Sequence, residues 1–125
     1  GKSEILREGS EIALVAVGNM VEETEKLYNR FLQEGRQVTF VNARFIKPLD
    51  KAMIDHLAES HKLIVTIEEG ILLVEEYLES KASDVKVLPI AIEDTFVRHG
   101  SIEELRKMLK IDAESIYDRI QDMME

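Results

Sequence analysis

The chain has 125 residues, 45% hydrophobic and 33% charged, with a formal charge of −9 and no cysteine. That length supports one domain with its own core, over residues 1–125, and the balance of residues is that of a folded protein rather than a disordered tail. It excludes disulfides, thiolate metal sites and thiol catalysis, and argues against nucleic acid, which needs a basic face, and against a membrane, since no apolar run nears the ~20 residues of a span.

No secretory leader is read in the sequence, and a reducing cytoplasm is the expected compartment.

Residues 3–7 (Ser-Glu-Ile-Leu-Arg) alternate weakly, as an edge strand does, and Glu8-Gly9-Ser10 turns the chain. Residues 12–17 form a continuous apolar run closed by Gly18, the pattern of a strand buried on both faces in a parallel sheet. Asn19 followed by Glu22 predicts an N-cap with its capping-box partner. Val21, Leu27, Phe31 and Leu32 then fall on one helical stripe, which Gly35 ends.

Val38, Phe40 and Val41 predict a short buried strand that stops at Asn42-Ala43. Pro48 holds Lys47 extended, and Asp50 stands at the N-cap of a helix carrying Met53, Ile54, Leu57 and Ala58 inward. Residues 63–67 predict a third buried strand, closed by Glu68-Glu69-Gly70, and residues 71–80 a short helix with Leu72, Leu73 and Tyr77 or Leu78 for burial. Residues 85–92 are a fourth apolar run, in which Pro89 belongs at a sheet edge or where the strand leaves the sheet. Ser101-Ile102-Glu103-Glu104 opens a helix with Ile102, Leu105, Met108 and Leu109 inward, and Asp112 caps a last one with Ile116, Ile120 and Met124.

Strands alternating with helices across short loops predict right-handed β-α-β units. The expected architecture is a three-layer α/β/α sandwich whose runs 12–17, 38–41, 63–67 and 85–90 lie parallel in one sheet.

The motifs that would carry chemistry are few. Gly18-Asn19 lacks the further glycines of a dinucleotide loop, with Glu22 where a phosphate would sit. A receiver domain needs an acid pair after the first strand and an aspartate ending a central one, and Val17-Gly18-Asn19 and Asn42-Ala43-Arg44 supply neither. Gly-x-Ser-x-Gly is absent. His56, His61 and His99 have no metal-ligand spacing and suit surface or packing roles. Adjacent Glu68 and Glu69 point to opposite faces of an extended chain, one to solvent and the other to a cation such as Arg44 or a neighbouring domain. Phe45 between Arg44 and Lys47 has the make-up of a partner-binding loop, or else packs back beside Leu49. Arg98 and His99, before the turn at Gly100, carry the same two readings.

Four stretches in register carry a family resemblance over nearly the whole chain. They are Ala13-Leu14-Val15-Ala16-Val17-Gly18-Asn19-Met20-Val21, Asn42-Ala43-Arg44-Phe45-Ile46-Lys47-Pro48-Leu49-Asp50, Val65-Thr66-Ile67-Glu68-Glu69 and Phe96-Val97-Arg98-His99-Gly100-Ser101. Together they resemble the C-terminal domain of the 1-deoxy-D-xylulose-5-phosphate synthases, which are transketolase-like thiamine diphosphate enzymes.

The resemblance implies a sheet of about five strands, mostly parallel, with residues 3–7 as its antiparallel edge. It implies a parent transferase that condenses pyruvate with glyceraldehyde 3-phosphate for isoprenoid precursor synthesis, using thiamine diphosphate and magnesium bound by other domains. This domain would have no catalytic, cofactor or metal site, and would hold the other domains of the parent chain and a second subunit of a homodimer through Arg44, Phe45, Lys47, Glu68, Glu69, Arg98 and His99. The glycine-rich segment that such proteins carry after the Glu-Glu pair is missing at Glu69-Gly70-Ile71-Leu72, either deleted or left out as a mobile loop. The alternatives are a stand-alone interaction or regulatory module of the same fold, or the equivalent domain of a transketolase or 2-oxoacid dehydrogenase.

Overall fold

The computed structural model describes residues 4–17, 20–43, 51–69, 77–78, 84–92 and 112–124. Five strands form one sheet: β1 (Glu4–Arg7), β2 (Glu11–Val17), β3 (Thr39–Ala43), β4 (His61–Glu69) and β5 (Lys86–Ile92). Among the described residues the helices are α1 (Val21–Gln33), α2 (Lys51–Ser60) and α3 (Ala113–Met124), with a further helical pair at Tyr77 and Leu78. The strand order is β1-β3-β2-β4-β5. The four apolar runs lie parallel, as their pattern predicts, and β1 joins β3 antiparallel at one edge, as the resemblance implies.

Side-chain alternation along the strands splits the core in two. Ile12, Leu14, Ala16, Phe40, Val65 and Ile67 face one side, where Leu27, Tyr28 and Phe31 of α1 and Ile116, Tyr117 and Ile120 of α3 cover them. Ala13, Val15, Val41 and Ile64 face the other, under Ile54 and Leu57 of α2 and Leu78. Helices therefore lie on both faces of the sheet, as strands without a polar side require.

Several boundaries depart from expectation. Helix α1 starts from Met20 with no side-chain cap, and Asn19, the predicted N-cap, lies outside the described residues. Thr24 instead donates its hydroxyl back to the Met20 carbonyl at 2.6 Å. Leu32, predicted inward, is 50% exposed, because a step of roughly 100° past buried Phe31 carries it off the stripe. Helix α1 does end at Gly35, with φ +77°.

Strand β4 begins earlier than predicted, at His61, and runs through Glu68 and Glu69, which pair with Ala91 and Ile92 rather than closing the strand. Pro89 sits opposite Thr66 on β5, an edge strand of the described sheet, where its missing N–H costs no second ladder. Asp50 and the predicted helix at 101 lie outside the described residues.

Asp112 occupies the expected position before α3, and its carbonyl accepts the Ile116 N–H at 3.0 Å. Its Oδ1 is nevertheless buried without a hydrogen-bond partner. The side-chain cap comes from α1, where buried Glu23 accepts the Ala113 N–H at 3.1 Å. A carboxylate there also meets the positive end of the α3 dipole.

Thr66 presents a second orphan: it is 0% exposed and its hydroxyl has no hydrogen-bond partner. An unmade buried hydrogen bond costs about 1–3 kcal/mol. Thr66→Val replaces the hydroxyl with a methyl of nearly the same shape. It should raise stability by about 1 kcal/mol in urea unfolding, and a destabilised variant would show that the hydroxyl has a partner in solution.

Candidate functional site

The strand registers bring four chain ends to one edge of the sheet. Val17 lies opposite Ala43, Ala16 opposite Ile67, and Glu69 opposite Ile92. Arg44, Phe45 and Lys47 follow Ala43 in the sequence. Glu68 and Glu69 form the last two positions of β4, and the segment carrying Arg98 and His99 begins after Ile92. With β2 between β3 and β4, the backbones of Ala43 and Glu68 stand two strand spacings apart, roughly 10 Å. The carboxyl ends of β2 to β5 thus lie along one edge of the sheet, the edge where open α/β sheets bind ligands and partners, and of the predicted contact residues Glu68 and Glu69 lie there. Arg44, Phe45, Lys47, Arg98 and His99 themselves lie outside the described residues.

The opposite, amino edge holds a polar network. The Gly9 N–H donates to Thr39 Oγ1 at 3.0 Å, and Thr39 Oγ1 lies 2.7 Å from His61 Nε2. His61 Nδ1 lies 3.0 Å from the Leu57 carbonyl and 2.9 Å from Ser60 Oγ. The Ser60 hydroxyl proton goes to the His56 carbonyl at 2.8 Å, so both groups beside Nδ1 are acceptors there and Nδ1 carries the hydrogen. His56 itself is exposed on α2. The two histidines thus take the surface and packing roles their spacing predicts; His99 lies outside the described residues.

Two members of these contacts, Thr39 and Glu23, escape a sequence reading. Thr39 sits in an ordinary strand pattern, and its partners come from a turn and from another strand. Glu23 leaves one sign, a carboxylate one residue ahead of Thr24 on the stripe that includes Met20 and Leu27.

Among the described residues, no three histidine, aspartate or glutamate side chains gather to hold a metal ion. The orphaned buried atoms, Thr66 Oγ1 and Asp112 Oδ1, lie in separate elements, one within strand β4 and the other just before α3. Neither atom stands in a cluster that fits a diphosphate–magnesium group among the described residues.

A mostly parallel five-stranded sheet between two helical layers, with one antiparallel edge strand, defines a three-layer α/β/α sandwich. A split-gene transketolase, solved as an inactive beta4 tetramer, shares this fold with a TM-score of 0.82 at 21% identity, over 97% of this chain and 41% of that one. The 2-oxoglutarate:ferredoxin oxidoreductase of Magnetococcus marinus shares it with a TM-score of 0.68 at 13% identity, over 100% of this chain and 20% of that one.

The chain belongs to the transketolase C-terminal domain family, whose model matches residues 1–116. It is 41% identical over 127 residues to the 1-deoxy-D-xylulose-5-phosphate synthase of Lachnoclostridium phytofermentans, covering 96% of this chain and 20% of that protein. To the synthase of Clostridium tetani it is 30% identical over 130 residues, covering 99% and 21%. The chain spans about a fifth of the length of these curated relatives.

Proposed function

We propose that residues 1–125 form the C-terminal structural domain of a thiamine diphosphate-dependent 1-deoxy-D-xylulose-5-phosphate synthase. The parent would condense pyruvate with glyceraldehyde 3-phosphate in the cytoplasm, toward isoprenoid precursors, with the cofactor and magnesium held by its other domains. This domain has no catalytic residue in that reading; it completes the subunit and helps join two subunits through the carboxyl edge. The observation that carries it is the 41% identity running along almost all of this chain but only a fifth of the relative. Identity of 21% to the split-gene transketolase favours the synthase over a transketolase parent.

The contact residues in this proposal are Arg44, Phe45, Lys47, Glu68, Glu69, Arg98 and His99, all on or following strand ends at that edge. Phe45 between two cations supplies the apolar anchor with a polar surround that interfaces favour. Burying a phenylalanine is worth roughly 1.5–3 kcal/mol, so Phe45→Ala in the parent enzyme should weaken its dimer roughly tenfold or more by sedimentation. The melting temperature of the 125-residue chain should barely move. A fall of more than about 10 °C in that chain would mean a core loss of ~3–5 kcal/mol and would remove Phe45 from the interface. A reading frame that encodes no further domain upstream of Gly1 would instead favour a stand-alone interaction module.

A further inference from the structure

We propose that the amino edge of the sheet carries a proton-operated latch, in which protonation of His61 at Nε2 turns the Thr39 hydroxyl away and releases the β1–β2 turn at Gly9. Each atom in the relay has one role in the neutral state. His61 Nδ1–H is spent on the Leu57 carbonyl and Ser60 Oγ, at 3.0 and 2.9 Å. The Nε2 lone pair therefore accepts the Thr39 hydroxyl proton across 2.7 Å, and Thr39 Oγ1 is left to accept the Gly9 N–H at 3.0 Å. A solvent proton taken up on Nε2 turns that acceptor into a donor, and two donors then face each other. The hydroxyl hydrogen must then rotate away from Nε2. Because Thr39, 3% exposed, has no other acceptor for it among the described contacts, Oγ1 can keep both the Nε2–H and the Gly9 N–H only by leaving that hydrogen buried and unpaired.

The segment so held is itself under tension. Glu11, next to the turn, has φ +66°, and the Ile12 N–H closes on the Ser10 carbonyl at 2.8 Å, a tight γ-turn of the strained hand. The register slips there too, with Glu11 opposite His61 but Ile12 opposite Leu63. The remaining ties on the turn are the Ser10 N–H to the Gln37 carbonyl at 3.0 Å and the Gln37 side-chain amide to the Glu8 carbonyl at 2.8 Å. Without the Gly9 bond, these two and the flanking strand ladders are what oppose the strain among the described contacts.

The charged groups nearby are Glu8 in the turn, Glu11 on β2, His56 and Glu59 on α2, and Lys62 on β4. Burial lowers the His61 pKa below the ordinary 6.5 against the raising effect of the Leu57 carbonyl, and the charge of His56 lowers it further. The sign follows from linkage. A histidine whose folded pKa is depressed contributes stability that is fully present above 6.5 and is lost as pH falls through the folded value.

Hydrogen exchange and imidazole nitrogen NMR between pH 7.5 and 5 test the latch on this chain. At pH 7.5 the nitrogen shifts should report the Nδ1–H tautomer, and an Nε2–H tautomer overturns the proposal outright. As pH falls, the Gly9 protection factor, corrected for intrinsic exchange, should drop in step with His61 titration. The drop is tenfold for each pKa unit separating the closed and released states. His61→Gln should make Gly9 protection independent of pH, and Thr39→Val should leave Gly9 unprotected throughout and move the His61 titration toward 6.5. Gly9 protection that ignores His61 titration, or that falls equally in His61→Gln, overturns the latch.

Discussion

Phe31→Ala should cost this protein about 3–5 kcal/mol of stability, the range for truncating a large aromatic in a close-packed core. Phe31 is fully buried on α1, its ring 5.2 Å from that of Tyr117 on α3, and the guanidinium of Arg36 lies 5.1 Å over it. Tyr117 in turn carries a surface cluster. It donates its hydroxyl to the Glu34 carboxylate at 2.6 Å, and Arg30 stacks 3.9 Å from its ring centre. That hydrogen bond to Glu34, with burial and the Glu34 charge beside it, raises the phenol above its ordinary pKa. Removing Phe31 takes away the support between two helices as well as its own buried area, so the loss should lie toward the upper part of the range. Leu32→Ala is the matched control, since half of that side chain already meets water and exposed substitutions stay within about 0.5 kcal/mol. Urea unfolding of both variants decides the point; equal losses would contradict the burial of one and the exposure of the other.

The second large effect is expected at Gly9. A Cβ built there would lie 2.3 Å from the Gln37 carbonyl oxygen and 2.5 Å from the Val38 carbonyl carbon. Both are backbone atoms that cannot rotate aside, and the turn cannot back away without giving up its bonds to Gln37 and Thr39. Gly9→Ala should therefore cost at least the 1–3 kcal/mol typical of overpacking. It should also detach β1, seen as lost amide protection along Glu4–Arg7. Gly35→Ala is an informative contrast, because its Cβ would meet nothing within 4 Å and only the φ of +77° is unfavourable. That change should cost about 1 kcal/mol. If Gly9→Ala proved no worse than Gly35→Ala, the close approach of the turn to β3 would be wrong.

The sheet was legible in the sequence because a strand covered on both faces needs apolar residues at every position, and Ile12 to Ala16 and Leu63 to Val65 supply them without interruption. The antiparallel edge came from the resemblance rather than from local pattern. The helix ends were less readable. Asn19 and Glu22 spell a capping box, but Asn19 lies outside the described residues, and α1 opens on Met20, which is buried in the core. Asp112 marks the start of α3 correctly, but the cap that reaches the Ala113 N–H is a glutamate ninety positions away, which no local pattern announces. The relay from Gly9 through Thr39 to His61 was invisible for the same reason. Of the residues proposed for contact, Glu68 and Glu69 fall in β4, so their backbone is set by pairing with β5.

The place of β2 in the middle of the sheet has a bearing on how the chain acquires its structure. Its ladder partners arrive late: Ala13 pairs with Thr39 on one side and with Ile64 on the other. Until β4 has been synthesised, one whole hydrogen-bonding side of β2 stays open, along with Ile12 to Ala16, which are almost wholly hidden in the finished protein. Pairings across such sequence separations close slowly, and an open apolar strand is what neighbouring nascent chains capture. The central strand is thus the first buried strand to be made and among the last to be satisfied, and protection from aggregation during translation matters most between the emergence of β2 and that of β4.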